Sequence, residues 1–390
     1  MGTYPVWAPP GTLAERTSAK YRVFDKDVLP MWVAEMDVVL APAVADALRH
    51  AVDTSDTGYA DPGNGLPDAF AGFAARRWDW QVDVAEVRLA PDVGVAMIET
   101  LRAVVRPGDK LAFSPPVYPP FFDWVREVGC EIVEAPLAQG DAGWRLDLDA
   151  VERAFESGAR AYLLCNPHNP VGRVHSRDEL AALAELAERF GAIVVSDEIH
   201  APLVLAGSAF TPYLDVSATA RAHGVALHSA SKAWNLAGLK CALIVVPAHA
   251  ADGPARVRAG LPPELTWRVG HLGVLANQAA YERGEAWLDE LLVALDDNRR
   301  LMSDLVAEHL AEVAYVPPEA SYLAWLDVGR AGWGADPTHA LAEQCGVALS
   351  RGLDFGRQGA GFVRFNLGSS PDRLREAVQR MAGFEPGRGS

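Results

Sequence analysis

The chain has 390 residues, half of them hydrophobic, with 51 acidic against 35 basic side chains and a formal net charge of -16. That length suits one large domain plus a smaller one, each with its own core. An acidic balance with no basic cluster argues against nucleic-acid partners and for a soluble, cytoplasmic protein acting on small molecules.

Residues 1–40 are Pro-rich and irregular, the pattern of an arm. The opening "MGTYPVWAPPGTLAERTSAK" has no apolar signal-peptide core, and no apolar run is long enough for a bilayer, so neither export nor membrane insertion is expected. Beyond the arm, helical patterns such as "PAVADALRHAV" and "DELAALAELAERFG" alternate with short apolar runs: "KLAFS" (110–114), "AYLLC" (161–165), "AIVVSD" (192–197), "VALHS" (225–229) and "CALIVV" (241–246). Such alternation predicts an α/β domain over 41–284 with a mostly parallel, doubly wound sheet. From Glu285 a long helical pattern leads into strand-like "SYLAWLDV" and "GFVRFNL" and a last helix, "SPDRLREAVQRMAG". This predicts a smaller α+β domain over 285–390, which the 1–40 arm joins. The four cysteines, Cys130, Cys165, Cys241 and Cys345, are far apart without a CxxC pair and read as reduced core residues.

Ligands of open α/β sheets bind beyond the carboxyl ends of the strands, so the residues after each apolar run are informative. Those positions hold Tyr118 in "PPVYPPFF", Asn169 in "NPHNPVG", Asp197 and His200 in "DEIH", and Lys232 in "SASKAWNLAGLK". A lysine between two buried strands needs a partner or a job, since an unpaired buried ammonium is costly. The turn Asp92-Val93-Gly94 runs straight into a helical pattern, whose free N–H groups suit a phosphate, and Ser229, Ser231 and Lys240 could complete that anion site.

Pyridoxal phosphate is the cofactor these parts fit. It needs a lysine for a Schiff base, an acid to keep its pyridine nitrogen protonated, and a phosphate anchor. Lys232, Asp197 and the Val93–Gly94 turn meet those needs, while Asn169 could donate to the ring oxygen and Tyr118 stack on the ring face. Singly, each residue has another reading. Lys232 could be a solvated loop lysine, Asp197 a turn cap, Asn169 a stabiliser of its Asn-Pro turns, Lys240 a surface charge, and Tyr118 and Tyr59 packing residues. His168, Cys165 and His200 lack the spacing of a ligand set, so no metal is expected.

The Ser229-x-x-Lys232 spacing with a cation eight residues on, the "NPHNPVG" loop and "SDEIH" resemble the class I/II aminotransferase superfamily, fold type I of the pyridoxal-phosphate enzymes. Within it, "LPMWVAEMD" (29–37), "SPPVYPPFF", "DEIHAPLV", "AAYERGEAWL" and "PEASYLAWLD" resemble the MalY/PatB group of cystathionine β-lyase-type carbon-sulfur lyases. The resemblance implies that Lys232 carries the cofactor, Asp197 pairs with its ring nitrogen and Asn169 with its ring oxygen. It also implies that Arg364 of "FVRFNLG" holds the substrate α-carboxylate near Ala34, although Arg364 could instead pair with Asp327. Tyr59 of "DTGYADPGNG" would reach the cofactor phosphate of a neighbouring subunit, making the enzyme a homodimer.

The implied reaction is α,β-elimination from L-cystathionine or a related cysteine conjugate. An aminotransferase and a non-catalytic pyridoxal-phosphate sensor are the alternatives. His200 leans toward the lyase, because aminotransferases of this fold resemble Asp-x-x-Tyr there. Two features depart from the lyase pattern. Asp92 stands where the phosphate turn commonly begins Gly-Val-Val, so it either points away or weakens phosphate binding, and Ala209 and Phe210 replace an expected histidine. Trp32, Trp124 and Trp234 read as packing residues or pocket walls.

Overall fold

The computed structural model describes residues 6–386 except 62, 141, 142 and 249. The ends of the expected arm and C-terminal segment, 1–5 and 387–390, lie outside the described residues. The strands in chain order are β1 (Leu29–Pro30), β2 (Val87–Ala90), β3 (Lys110–Phe113), β4 (Glu131–Glu134), β5 (Ala138–Gly140), β6 (Gly143–Arg145), β7 (Ala159–Cys165) and β8 (Ile193–Asp197). Then follow β9 (Gly224–His228), β10 (Ala242–Val245), β11 (Ala314–Tyr315), β12 (Leu323–Asp327), β13 (Val347–Ala348), β14 (Ser350–Arg351) and β15 (Phe362–Asn366).

Seven strands form the main sheet in the order β2-β10-β9-β8-β7-β3-β4. Parallel pairing joins β9 through β4, while β10 runs antiparallel to both its neighbours. The central strands are near-continuous apolar runs because helices cover both faces. Their alternation sends Tyr162, Leu164, Val194, Ala226 and Leu243 into one core, and Leu163, Val195, Leu227 and Ile244 into the other. Each fully buried aliphatic side chain contributes about 1.5–3 kcal/mol, so this alternation outweighs local propensity.

The five expected strands are present, and their ends move by a residue or two. Sequence patterning overlooked β2, β4 and the β5–β6 hairpin, since β2 and β4 are edge strands interrupted by Arg88 or flanked by Glu131 and Glu134. Helix Arg177–Phe190 shows how the sequence sets its ends. Ser176 and Glu179 form a capping box, and Gly191 closes the helix at φ 61°.

Toward the C-terminus, helix Glu285–His309 packs on helix Pro371–Met381, and a four-stranded antiparallel sheet runs β11-β12-β15-β14. The N-terminal segment is not wholly irregular, for it holds helices Pro10–Glu15 and Ala19–Arg22. It is fastened to the C-terminal part where β1 pairs in parallel with β13. Lys20 and Asp37, both 1% exposed, form an ion pair at 2.5 Å, and Ser369 donates to the other Asp37 oxygen at 2.6 Å. The Asn366 amide donates to the carbonyls of Val33 and Glu35, each at 2.7 Å. These bonds lay residues 32–37 across the carboxyl edge of the main sheet.

Candidate active site

Beyond β9 the chain tightens into the turn that carries Lys232. The Ser229 hydroxyl donates to the Cys241 carbonyl at 2.6 Å and accepts from the Ser231 N–H at 3.1 Å, while the Ala230 N–H donates to Asn277 Oδ1 at 2.9 Å. Asn235, in the left-handed region at φ 59°, accepts from the Met36 N–H at 2.8 Å and donates to its carbonyl at 3.0 Å. With the loop held at both ends, the Lys232 ammonium donates to the Ala34 carbonyl at 3.1 Å. The Tyr322 hydroxyl donates to the same oxygen at 2.9 Å. Burial, and then the charge of Arg364, bring the lysine pKa down to about 8.

Asp197 ends β8 and is buried, with Oδ1 accepting the Ile199 N–H at 3.2 Å. Burial raises it to about 7. The adjacent Glu198 points the other way, as alternate strand residues do. It accepts from Ser196 at 2.9 Å and the Tyr213 N–H at 2.8 Å, and its second oxygen lies 3.1 Å from His228 Nε2. One carboxylate is thus locked in the protein wall and the other faces the cavity.

That cavity, about 270 Å³, lies at the carboxyl edge of the sheet. Its walls include Lys232, Asp197, Asn169, His200, Tyr118, Ala34, Val93, Gly94, Ser231 and Lys240. Arg364 stands behind Asn169, donating to its Oδ1 at 3.1 Å, and to the Trp32 carbonyl and the Ser350 hydroxyl at 3.0 Å each. Its Nε is buried without a partner among the described residues, and burial lowers its pKa to about 10. The alternative pairing with Asp327 is not formed, since that carboxylate takes Arg330 at 3.1 Å.

His200 lines the cavity with Nδ1 at 3.1 Å from the Ser321 hydroxyl, and burial with the nearby cations lowers it to about 3, so it is neutral. At the opposite end, helix Val93–Val104 begins beside Ser231. Asp92 is its N-cap, accepting the Val95 N–H at 2.8 Å, and its other oxygen lies 3.0 Å from the Lys240 ammonium. The acid therefore neither points away nor stands alone.

Besides Arg364, which stands behind Asn169, two expected residues do not line the cavity. Ser229 is a correction: its hydroxyl is spent on Cys241, holding the turn rather than facing an anion. Tyr59 is 84% exposed, its ring edge-on to Trp267, and it does not reach the cavity of its own chain. Phe210, at the departing histidine position, packs against Trp78. Sequence reasoning did not foresee Cys165, Ser350 or Tyr322 near the cavity, and left Trp124 open between packing and pocket wall. The sequence marked Tyr322 only as part of "PEASYLAWLD"; beside it Ser321, at φ 74°, lies 3.1 Å from His200 Nδ1.

A strand-end lysine with a lowered pKa, a buried carboxylate and a helix N-terminus around one cleft define an α/β enzyme of the aminotransferase type. Residues 33–381 match the model of the family described as aminotransferase class I and II, and the chain belongs to that family. It is similar to a Mycobacterium tuberculosis protein provisionally named cystathionine beta-lyase, 46% identical over 395 residues and covering 95% of each chain. The cystathionine beta-lyase PatB of Bacillus subtilis is 34% identical, covering 91% of this chain and 92% of its own. Among solved structures, a Corynebacterium diphtheriae protein provisionally described as a pyridoxal-phosphate-dependent beta-cystathionase superposes with a TM-score of 0.89 at 33% identity, covering 97% and 99% of the two chains.

Proposed function

We propose that the chain is a pyridoxal-phosphate-dependent carbon-sulfur β-lyase that cleaves L-cystathionine, or a related cysteine S-conjugate, with water to a thiol, pyruvate and ammonia. The observation that carries this reading is the Lys232 amine, brought to about 8, facing the same cavity as the Asp197 carboxylate. The residues present fit the cofactor. A Cβ on Gly94 would stand 3.3 Å from Asp92 Oδ1 and 3.2 Å from the Trp124 indole nitrogen, so glycine leaves the helix N-terminus open to a phosphate. When bound, pyridoxal phosphate supplies an aldehyde for amines and a ring that accepts electrons when a substrate Cα loses its proton.

The chain's own groups do the rest. Lys232, its pKa lowered to about 8, could hold a free amine beside Cα and take that proton as general base. Asp197 would pair with the ring nitrogen, where its charge would favour the protonated form. The Asn169 amide, with Oδ1 occupied by Arg364, has its N–H free to donate and would hold the ring oxygen. Tyr118, in its proline-stiffened loop, would stack on the ring face. The unpartnered Nε of Arg364 and its planar fork suit a substrate carboxylate near Ala34. Neutral His200 would add no charge to the cofactor's surroundings. Aminotransferases share these steps up to proton removal, so the two readings separate only at the fate of Cβ.

The proposal extends to a homodimer in which Tyr59 completes the neighbouring site, supported by its exposure beside Trp267. It includes a cytoplasmic location, supported by four free cysteines. Among the described residues no helix is long and apolar enough to cross a membrane. We also propose the division into an arm (1–40), a large domain (41–284) and a small domain (285–390), supported by the separation of the seven-stranded sheet from the four-stranded one.

The test is product analysis with L-cystathionine and no keto acid. Pyruvate, ammonia and thiol in equal amounts, abolished in Lys232→Ala, are expected. Amino transfer to an added keto acid without pyruvate would replace the lyase with an aminotransferase, and silence in both assays would favour the sensor.

A further inference from the structure

Trp124, on helix Pro120–Glu127, is 7% exposed and forms part of the cavity wall. Its ring is held by Phe121 at 5.0 Å and by Tyr118 at 6.1 Å between centroids. That packing brings its indole nitrogen to within 3.2 Å of the point where a Cβ on Gly94 would stand, over the first turn of helix Val93–Val104. Among the described residues that N–H makes no hydrogen bond, and unlike the sealed indole nitrogens of Trp32, Trp287 and Trp325 it opens onto the cavity. A donor that opens onto the cavity beside a helix N-terminus is placed to serve an anion bound there.

The same corner holds an anion of its own. Asp92 occupies one of the free N–H groups of the helix and lies against Lys240, whose backbone is left-handed at φ 56°. A residue without glycine's freedom in that conformation is held there by its surroundings. The carboxylate thus takes a share of two donors that would otherwise serve a phosphate, and places a negative charge near it.

We infer that this chain grips the cofactor phosphate in a cradle built around an internal anion: the Trp124 indole N–H supplies a donor, and Asp92 tempers the charge of Lys240 and so weakens the grip. The inference rests on the cofactor reading above. Lys240 is then shared between the carboxylate and the phosphate rather than devoted to either. The cofactor would be held less tightly than in a chain with a neutral residue at position 92.

The experiment titrates the cofactor-free chain with pyridoxal phosphate and, in parallel, with pyridoxal, following the visible absorbance of the bound aldehyde. Trp124→Phe keeps the ring packing and removes the N–H, and it is expected to weaken pyridoxal phosphate about tenfold while leaving pyridoxal unchanged. Asp92→Asn keeps a good helix cap and removes the charge. It is expected to tighten pyridoxal phosphate about threefold to tenfold, again without effect on pyridoxal. Equal losses for both ligands in Trp124→Phe would reduce the tryptophan to packing, and an unchanged or weaker affinity in Asp92→Asn would overturn the role of the acid. A wild-type chain that binds neither aldehyde would overturn the cofactor reading itself and the cradle with it.

Discussion

Arg364 and Asn169 are bound to each other at 3.1 Å although 195 positions separate them, the guanidinium donating to the amide oxygen. This bond ties β15 of the smaller sheet to the loop after β7 of the larger one. It also orients the amide, because once Oδ1 accepts from Arg364 the Nδ2 is free to donate into the cavity. One contact therefore sets both the proposed carboxylate anchor and the proposed ring-oxygen donor.

Replacing Arg364 by lysine keeps a positive charge and loses the fork. An ammonium cannot hold Asn169, Ser350 and a substrate carboxylate together. We expect kcat/KM with L-cystathionine to fall roughly tenfold to a hundredfold, mostly through KM, while the chain still binds pyridoxal phosphate. Steady-state kinetics beside a cofactor titration would check this. Unchanged KM would remove Arg364 from substrate binding.

The lowered pKa of Lys232 has a direct chemical signature. Its neutral, reactive form gains population as pH rises through about 8, well below the ordinary lysine range. Burial is the larger cause and the Arg364 charge the second, so Arg364→Gln should move the midpoint upward without restoring it fully. Competitive acetylation of the cofactor-free chain across a pH series, read at Lys232 by mass spectrometry, measures it. A midpoint equal to that of surface lysines would contradict the burial argument.

Lys20 offers a test of how the N-terminal segment is held. In Lys20→Ala the buried Asp37 keeps Tyr21, Ser369 and, at 3.7 Å, Arg373, but loses its one ammonium partner. Breaking a buried pair from one side costs about 3–5 kcal/mol. The denaturant midpoint should fall accordingly. Because residues 32–37 lie against Asn235 and Lys232, cofactor affinity should fall with it.

Much of the site was legible in the sequence because its groups sit where a parallel sheet must deliver them. Asp197 follows "AIVVS", Asn169 follows "AYLLC" and Lys232 follows "VALHS", and a run of apolar residues ending in a polar one marks a strand end whatever the rest of the chain does. The α/β class and most element positions follow from the same local periodicities. Edge strands β2 and β4 escaped notice because Arg88 interrupts one and Glu131 and Glu134 flank the two apolar residues of the other, leaving no continuous apolar run.

What the sequence alone determined, then, was which residues stand at strand ends and that their chemistry converges on one edge of a sheet. Only the tertiary structure decided how they face one another. It turned Ser229 into a brace, set Asp92 against Lys240, and left Tyr59 on the surface of its own chain. It joined Arg364 to Asn169 rather than to Asp327. The physical reason is range: strand and helix patterns are written in neighbours a few residues apart, whereas a hydrogen bond is specified by distance and direction between groups that the chain brings together from far along its length.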